Sequence, residues 1–235
     1  MRIKVINPNT TESMTQTIGE AARSVAALGT EIVAVSPSMG PVSIECHYDE
    51  AVSALGVLEE VRKGEGEGCD GYIIACFGDP GLFALRELAP VPVVGMAEAS
   101  CHLASTLGRK FSIVTGGHRW GPMLEEFVAA IGLTTNLASV RTVEALGADI
   151  AAKPEAALES LVSACRKAVQ EDSAEVVILG GLGLAGLAGR VSDEVPVPVI
   201  DNVVASVRVA EAAATPVKTT GLSPALAGLL EGREV

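Results

Sequence analysis

Short runs of apolar and β-branched residues recur along the chain: "RIKVIN" from residue 2, "EIVAVS" from 31, "GYIIAC" from 71, "VPVVGM" from 91, "KFSIVT" from 110, "EVVILG" from 175 and "VPVIDN" from 197. Each is strand-like, and the segments between them carry apolar positions at helical spacing or helix-cap signals. This alternation predicts an α/β fold with largely parallel sheets. One helix is expected from Tyr48 to Arg62, with Ala51, Leu55, Leu58 and Val61 forming its buried stripe. A second runs from Pro154 to Gln170, with proline at its first position and Ala157, Leu158, Leu161 and Cys165 together on one face. The stretch "KGEGEGCD" at 63–70 is expected to be a loop between a helix and a strand.

The pattern repeats. "DGYIIACFGDPGL" at 70–82 aligns with "EVVILGGLGLAGL" at 175–187 at an offset of 105, and "PVPVVGMAEAS" at 90–100 with "PVPVIDNVVAS" at 196–206 at an offset of 106. "RIKVINPNT" and "RKFSIVTGGH" form a weaker third pair near an offset of 108. In each strong pair a buried strand meets a glycine turn, a short helix follows, and a Pro-x-Pro entry leads to the next strand. Two similar lobes facing one another are expected, with equivalent strand ends lining one cleft. In this register Cys76 is matched by Gly181.

Composition narrows the partners. At 235 residues and 49% hydrophobic content the chain can bury one large core or two small lobes. Its formal net charge of -12 and pI near 4.7 disfavour nucleic acid and anionic membrane surfaces, so a small-molecule substrate is expected. The five cysteines lack C-x-x-C spacing and fit reduced thiols in a cytoplasmic protein. No signal peptide is visible in the opening residues, and the longest apolar stretch, "VVILGGLGLAGL" at 176–187, is shorter than the roughly 20 residues of a membrane helix. The three histidines have no metal-ligand spacing, His47 and His102 are expected to be structural or solvated, and there is no G-x-S-x-G elbow.

Two sites compete. Gly181, Gly183 and Gly186 spell G-x-G-x-x-G after a strand, with Asp201 at the distance of a ribose-binding acid, so a dinucleotide loop is one reading. Within the repeat, however, Gly183 matches Gly78 and Gly186 matches Gly81, which makes the same glycines half of a duplicated site. In the first half Cys76 ends a strand, Gly78 turns the chain, Asp79 is placed to N-cap a helix, and Pro80 suits its first position. A thiol beside a helix N-terminus is favoured as thiolate, and the same N–H groups could hold an enolate oxygen. The plainer alternative, a small buried hydrophobe, is preferred for Cys69 and Cys165.

"INPNTT" at 6–11, "GPVSIE…YDEA" at 40–51, "IACFGDPGL" at 74–82, "AEAS" at 97–100 and "VPVID" at 197–201 resemble the hydantoin and allantoin racemase branch of the aspartate/glutamate racemase superfamily. The resemblance implies two pseudo-symmetric Rossmann-like lobes, residues 1–97 plus 207–235 and residues 98–206, with the active site in the cleft between them. It implies a cofactor-independent isomerase, and a homo-oligomeric assembly is expected. Two cysteines flank a carbon acid in such enzymes, and Cys76 is one of them; the other position falls on Gly181. Proton exchange on both faces needs an acid/base group on each. Candidates for the second are His118 in "TGGHRW" and Cys46 in "SIECHYDE", with Cys101 expected to pack on a helix and a water molecule the remaining option. Substrate contacts are expected from Asn9, Thr10 and Ser43, from the N–H groups of Phe77, Gly78 and Asp79, and from Thr115, Gly116, Gly181 and Leu182. The substrate expected is a 5-substituted hydantoin or related ureide. A single-cysteine decarboxylase or lyase, and a non-catalytic ligand-binding homologue, are the alternatives that Gly181 leaves open.

Overall fold

Strand β1 (Arg2–Ile6) is buried along its length except at Arg2, as a central strand covered on both faces must be. It pairs in parallel with β2 (Glu31–Val35) on one side and β3 (Gly71–Ile74) on the other, and β4 (Val93–Gly95) extends the sheet beyond β3. The computed structural model describes residues 1–215, apart from the side chain of Leu182. Helices α1 (Glu12–Val25), α2 (His47–Gly66) and α3 (Leu82–Leu88) make the crossovers. Next come α4 (Met96–Leu107), β5 (Phe111–Gly116), α5 (Trp120–Ala130), β6 (Leu137–Val143), α6 (Gly147–Ala152) and α7 (Pro154–Asp172). The chain continues with β7 (Val176–Leu179), a 3-10 turn (Leu182–Leu184), α8 (Ala188–Ser192), β8 (Val199–Asp201) and α9 (Asn202–Ala213).

The two sheets have the same order, β2-β1-β3-β4 and β6-β5-β7-β8, with every pair parallel. The sequence repeat is therefore one α/β unit used twice. Between the sheets lies a shared core in which Ile18 and Ala22 of α1, Ala97 and Cys101 of α4, Leu124 of α5 and Val203 and Val207 of α9 meet residues of β1, β3, β5 and β7. Two outer clusters cover the far faces, one around Val57, Leu82 and Leu85, the other around Leu161, Cys165 and Val191. Helix α4 leaves the first sheet but packs against β7 and α9; α9 leaves the second sheet but packs against β3 and β4. This exchange welds the lobes along one edge of the cleft. Of the segment 207–235 expected in the first lobe, residues 216–235 lie outside the described residues.

Three expectations are corrected. Strand β6 was not anticipated, because "LASVRTV" is an edge strand of intermediate burial with little alternation; its Ser139 and Arg141 are held by Asp172 of α7. The buried stripe of α2 is Ser53, Gly56, Val57, Glu60, Val61 and Gly64, while Leu55 is exposed and Ala51 faces solvent. The helix is turned to bring its glycines inward: a Cβ on Gly64 would lie 2.5 Å from the Tyr72 ring and one on Gly56 2.7 Å from Pro37. Glu60 goes in with them because the buried Lys4 ammonium meets its carboxylate at 3.2 Å. Finally, α2 runs to Gly66, so the first half of "KGEGEGCD" is helix rather than loop.

Candidate active site

The loops at the carboxyl ends of β1, β3, β5 and β7 converge on one cleft, as ligand sites of open parallel sheets do. Asn9, Cys76 and Phe77 line it from the first lobe, and Thr115, Gly116, Trp120, Gly181 and Leu184 from the second. Ser43, Ile44 and Glu45 close one side after β2, and Gly147 and Ala148 the equivalent side after β6. The cleft takes in about 520 Å³ of non-protein space, part of it open to solvent. Cys76 and Gly181 share it, as the repeat predicts.

The turn carrying Cys76 differs from the expected one. The N–H groups of Gly78 and Asp79 donate to the Cys76 carbonyl at 3.0 and 3.1 Å, so neither is free for a substrate oxygen. The Phe77 N–H has no partner among the described residues and remains the donor of this turn. Helix α3 begins only at Leu82 and has Gly81, at φ 78°, as its N-cap. Asp79 is buried at a φ of 49° and caps a different helix, accepting the N–H groups of Ala97 and Glu98 at the start of α4 at 3.0 and 2.8 Å. A Cβ on Gly95 would lie 2.1 Å from that carboxylate, so glycine is required there. Burial, together with the negative charges of Asp79, Glu50 and Glu45, raises the Cys76 thiol well above its ordinary value. The resting group is therefore a thiol, not the thiolate expected from a helix N-terminus.

Asn9 is oriented by its neighbours. Its Oδ1 accepts from Asn7 Nδ2 and from the Thr11 backbone N–H, both at 2.9 Å, and a backbone N–H can only donate. The amide NH2 is left for the cleft, 3.6 Å from the Met14 sulfur, which also lines it. Asn9 thus presents a donor, suited to a carbonyl or enolate oxygen. Thr10 is occupied elsewhere, with both its N–H and hydroxyl donating to Pro41 O.

Opposite, the glycines of "LGGLGLAGL" answer to packing and backbone geometry. A Cβ on Gly180 would lie 2.5 Å from the Phe77 ring, which crosses over from the first lobe; Trp120 crosses the other way, 2.8 Å from where a Cβ on Gly78 would be. Gly181 has φ 130°, and Gly183 lies so close to α6 that a Cβ there would be 1.9 Å from Gly147 O. That obstacle is backbone and cannot rotate away. Gly183→Ala is expected to cost about 3 kcal/mol or more and to lower the melting temperature by roughly 6–12 °C. A thermal melt within 2 °C of the parent, measured by circular dichroism, would refute this close approach. Asp201 caps α9 through the N–H groups of Val203 and Val204 and accepts the Gly186 N–H at 2.9 Å. With its acid so occupied and its glycines so explained, the dinucleotide reading is set aside.

Gly181 keeps its N–H without a partner among the described residues, while its carbonyl is held by Asn202 Nδ2 at 3.0 Å. The backbone of Leu182 starts the 3-10 turn. A cysteine at 181 would sit at an unfavourable φ with its Cβ 3.4 Å from Thr115 Oγ1, so this loop would have to shift to hold a thiol. Neither expected substitute reaches the cleft. His118 is exposed, with Nδ1 3.2 Å from Thr142 Oγ1, and the Cys46 thiol donates to Asp49 Oδ2 at 3.3 Å. Cys69, Cys101 and Cys165 are buried. Glu45 and Trp120 have no periodic signal in the sequence, because each reaches the site from a long loop or from the opposite lobe. Glu45 did stand inside the "GPVSIE" segment that carries the family resemblance. Among the described residues no group of three or more His, Cys, Asp or Glu is placed to hold a metal ion, and no helix is long and apolar enough to cross a membrane.

The Asp/Glu/Hydantoin racemase family model matches residues 3–210. The chain belongs to that family. Similar family members include the hydantoin racemase of Pseudomonas sp. (strain NS671), 51% identical over 90% of this chain and 85% of that protein, and the hydantoin racemase of Paenarthrobacter aurescens, 48% identical over 90% of each. An allantoin racemase from Klebsiella pneumoniae superposes with a TM-score of 0.89 at 44% identity, covering 94% of this chain and 90% of that one. Arylmalonate decarboxylase, at 17% identity and a TM-score of 0.65, shares the fold. The chain is accordingly an isomerase of the racemase class, and its two lobes are the family architecture.

Proposed function

We propose that this racemase acts on a neutral cyclic ureide, a 5-substituted hydantoin or close relative, by moving the proton on the carbon next to a ring carbonyl. The observation that carries this reading is the charge of the cleft. Among the described residues no Lys, Arg or His lines it, and Glu45 is its carboxylate. A free amino acid would bring its carboxylate to a site where no described residue supplies a cation, and a malonate dianion would meet still more repulsion. A hydantoin brings carbonyl and N–H groups and no charge. Its enolate oxygen fits the Asn9 NH2 and the Phe77 N–H, and Cys76 lies beside the carbon to exchange its proton. The apolar faces of Trp120, Ile44 and Leu184 suit a hydrocarbon 5-substituent. The names of the similar racemases support the same substrate class.

The test uses enantiopure 5-substituted hydantoins and allantoin, with optical rotation followed over time. Loss of rotation well above the uncatalysed rate is expected for at least one, with no turnover of free aspartate or glutamate and no carbon dioxide from an arylmalonate. Inert hydantoins and allantoin, or decarboxylation of the malonate, would sink the assignment.

A further inference from the structure

Racemisation through a planar intermediate needs an acid/base group on each face, and Gly181 offers no side chain on the second lobe's side. Glu45 starts on the first lobe and lines the cleft, and one of its oxygens lies beside Gly117 of the second lobe. The Glu45 N–H donates to Asp49 Oδ2 at 3.0 Å in the first turn of α2, and its Oε1 accepts the Ser43 hydroxyl at 2.6 Å. Those bonds fix both the backbone and one carboxylate oxygen. The other, Oε2, takes no hydrogen bond from any described residue and lies 3.7 Å from where a Cβ on Gly117 would be. Gly117 follows β5, the strand paired with β7, whose end carries Gly181. Thr115 Oγ1 is nearer the missing thiol's position, at 3.4 Å from a Cβ on Gly181, but an aliphatic hydroxyl is a poor base at neutral pH.

Building on the hydantoin reading, we propose that Glu45 is the catalytic acid/base group on the face opposite Cys76, serving where the family position at 181 has no thiol. Glu45 Oε2 takes the proton from the enantiomer whose C–H points to it, and the C–H electron pair moves into the adjacent carbonyl to give the enolate. The Cys76 thiol then gives its proton to the other face of the carbon and becomes a thiolate. Protonated Glu45 with Cys76 thiolate is the form that converts the opposite enantiomer in reverse. Solvent carries the proton from Glu45 back to Cys76 to restore the starting form. The electrostatics agree, since Glu45 is among the charges that keep the Cys76 thiol protonated. One proton is thus shared between two groups, as two-base exchange requires.

The experiment follows both enantiomers of one 5-substituted hydantoin in deuterated water, reading rotation and deuterium at the ring carbon. The parent is expected to racemise both with deuterium uptake. Glu45→Gln should slow racemisation at least about 100-fold. Its affinity for the hydantoin, read from the fluorescence of Trp120, the only tryptophan, should stay within about threefold of the parent. Cys76→Ala, which leaves Glu45 in place, should exchange one enantiomer only and with retained rotation; adding Glu45→Gln should abolish that exchange. Racemisation by Glu45→Gln within about threefold of the parent, or exchange of both enantiomers or of neither by Cys76→Ala, overturns the role. A parent that is inert toward hydantoin and allantoin overturns the substrate reading first, and this assignment with it.

Discussion

Cys76→Ser is expected to slow racemisation of a hydantoin by roughly 10²–10⁴-fold, the usual contribution of a positioned proton-transfer group. Serine keeps the size of the side chain and the turn, but its hydroxyl is a far weaker acid than a thiol. The loss should therefore fall on kcat, with ligand binding monitored through Trp120 nearly unchanged. Two controls separate this from a general sensitivity to mutation. His118→Ala and Cys46→Ser alter side chains whose partners are Thr142 and Asp49 outside the cleft lining, and both should keep kcat within about threefold. A Cys76→Ser enzyme of near-parent kcat, or a large kcat loss in His118→Ala, would move the chemistry away from the β3 turn.

The second large effect is on stability. Burial raises the Asp79 carboxyl to about 8, although two N–H groups of α4 favour its ionised form. In the unfolded chain the same group titrates near 3.9. Between these values the unfolded state has released a proton that the folded state retains, so the folded state loses ground as pH rises. Asp79 alone should lower stability by on the order of 1 kcal/mol per pH unit from about pH 4 to pH 8, with no contribution to the slope below that window. Asp79→Asn should flatten the dependence, whatever it does to the absolute level, because an amide does not titrate. Urea unfolding at half-unit steps from pH 5 to pH 8 measures both slopes. An unchanged slope in Asp79→Asn would show that Asp79 is ionised in the folded protein.

Much of this structure was written in local pattern. Residues buried on both faces of a parallel sheet must be apolar at successive positions, so "RIKVIN", "GYIIAC" and "EVVILG" announce central strands without reference to the rest of the chain. A duplicated unit leaves its register in the numbering, and the offset of 105 by itself places Cys76 and Gly181 on one cleft. The same repeat could have supplied β6, the counterpart of β2, whose own pattern is blunted because an edge strand is half in solvent. Glycine content in "LGGLGLAGL" was equally plain.

What those glycines are for was not local. Gly180 makes room for an aromatic ring from residue 77, and Gly183 for a carbonyl at residue 147, contacts between segments that are remote in the chain. Asp79 has the type and spacing of a cap for the next helix, yet its carboxylate caps α4, because a positive φ at Asp79 and the bare Cα of Gly95 bring those N–H groups closer. The charge state of Cys76 turned on the same distant geometry, since a thiol's pKa depends on what surrounds it in space. The sequence by itself determined the strands, the two-fold plan and the cysteine at its centre, all of which follow from the order of apolar and small residues. Only the tertiary structure decided which side chains cross between the lobes, and so which carboxylate faces the cleft, because those contacts join residues whose separation along the chain carries no periodic signal.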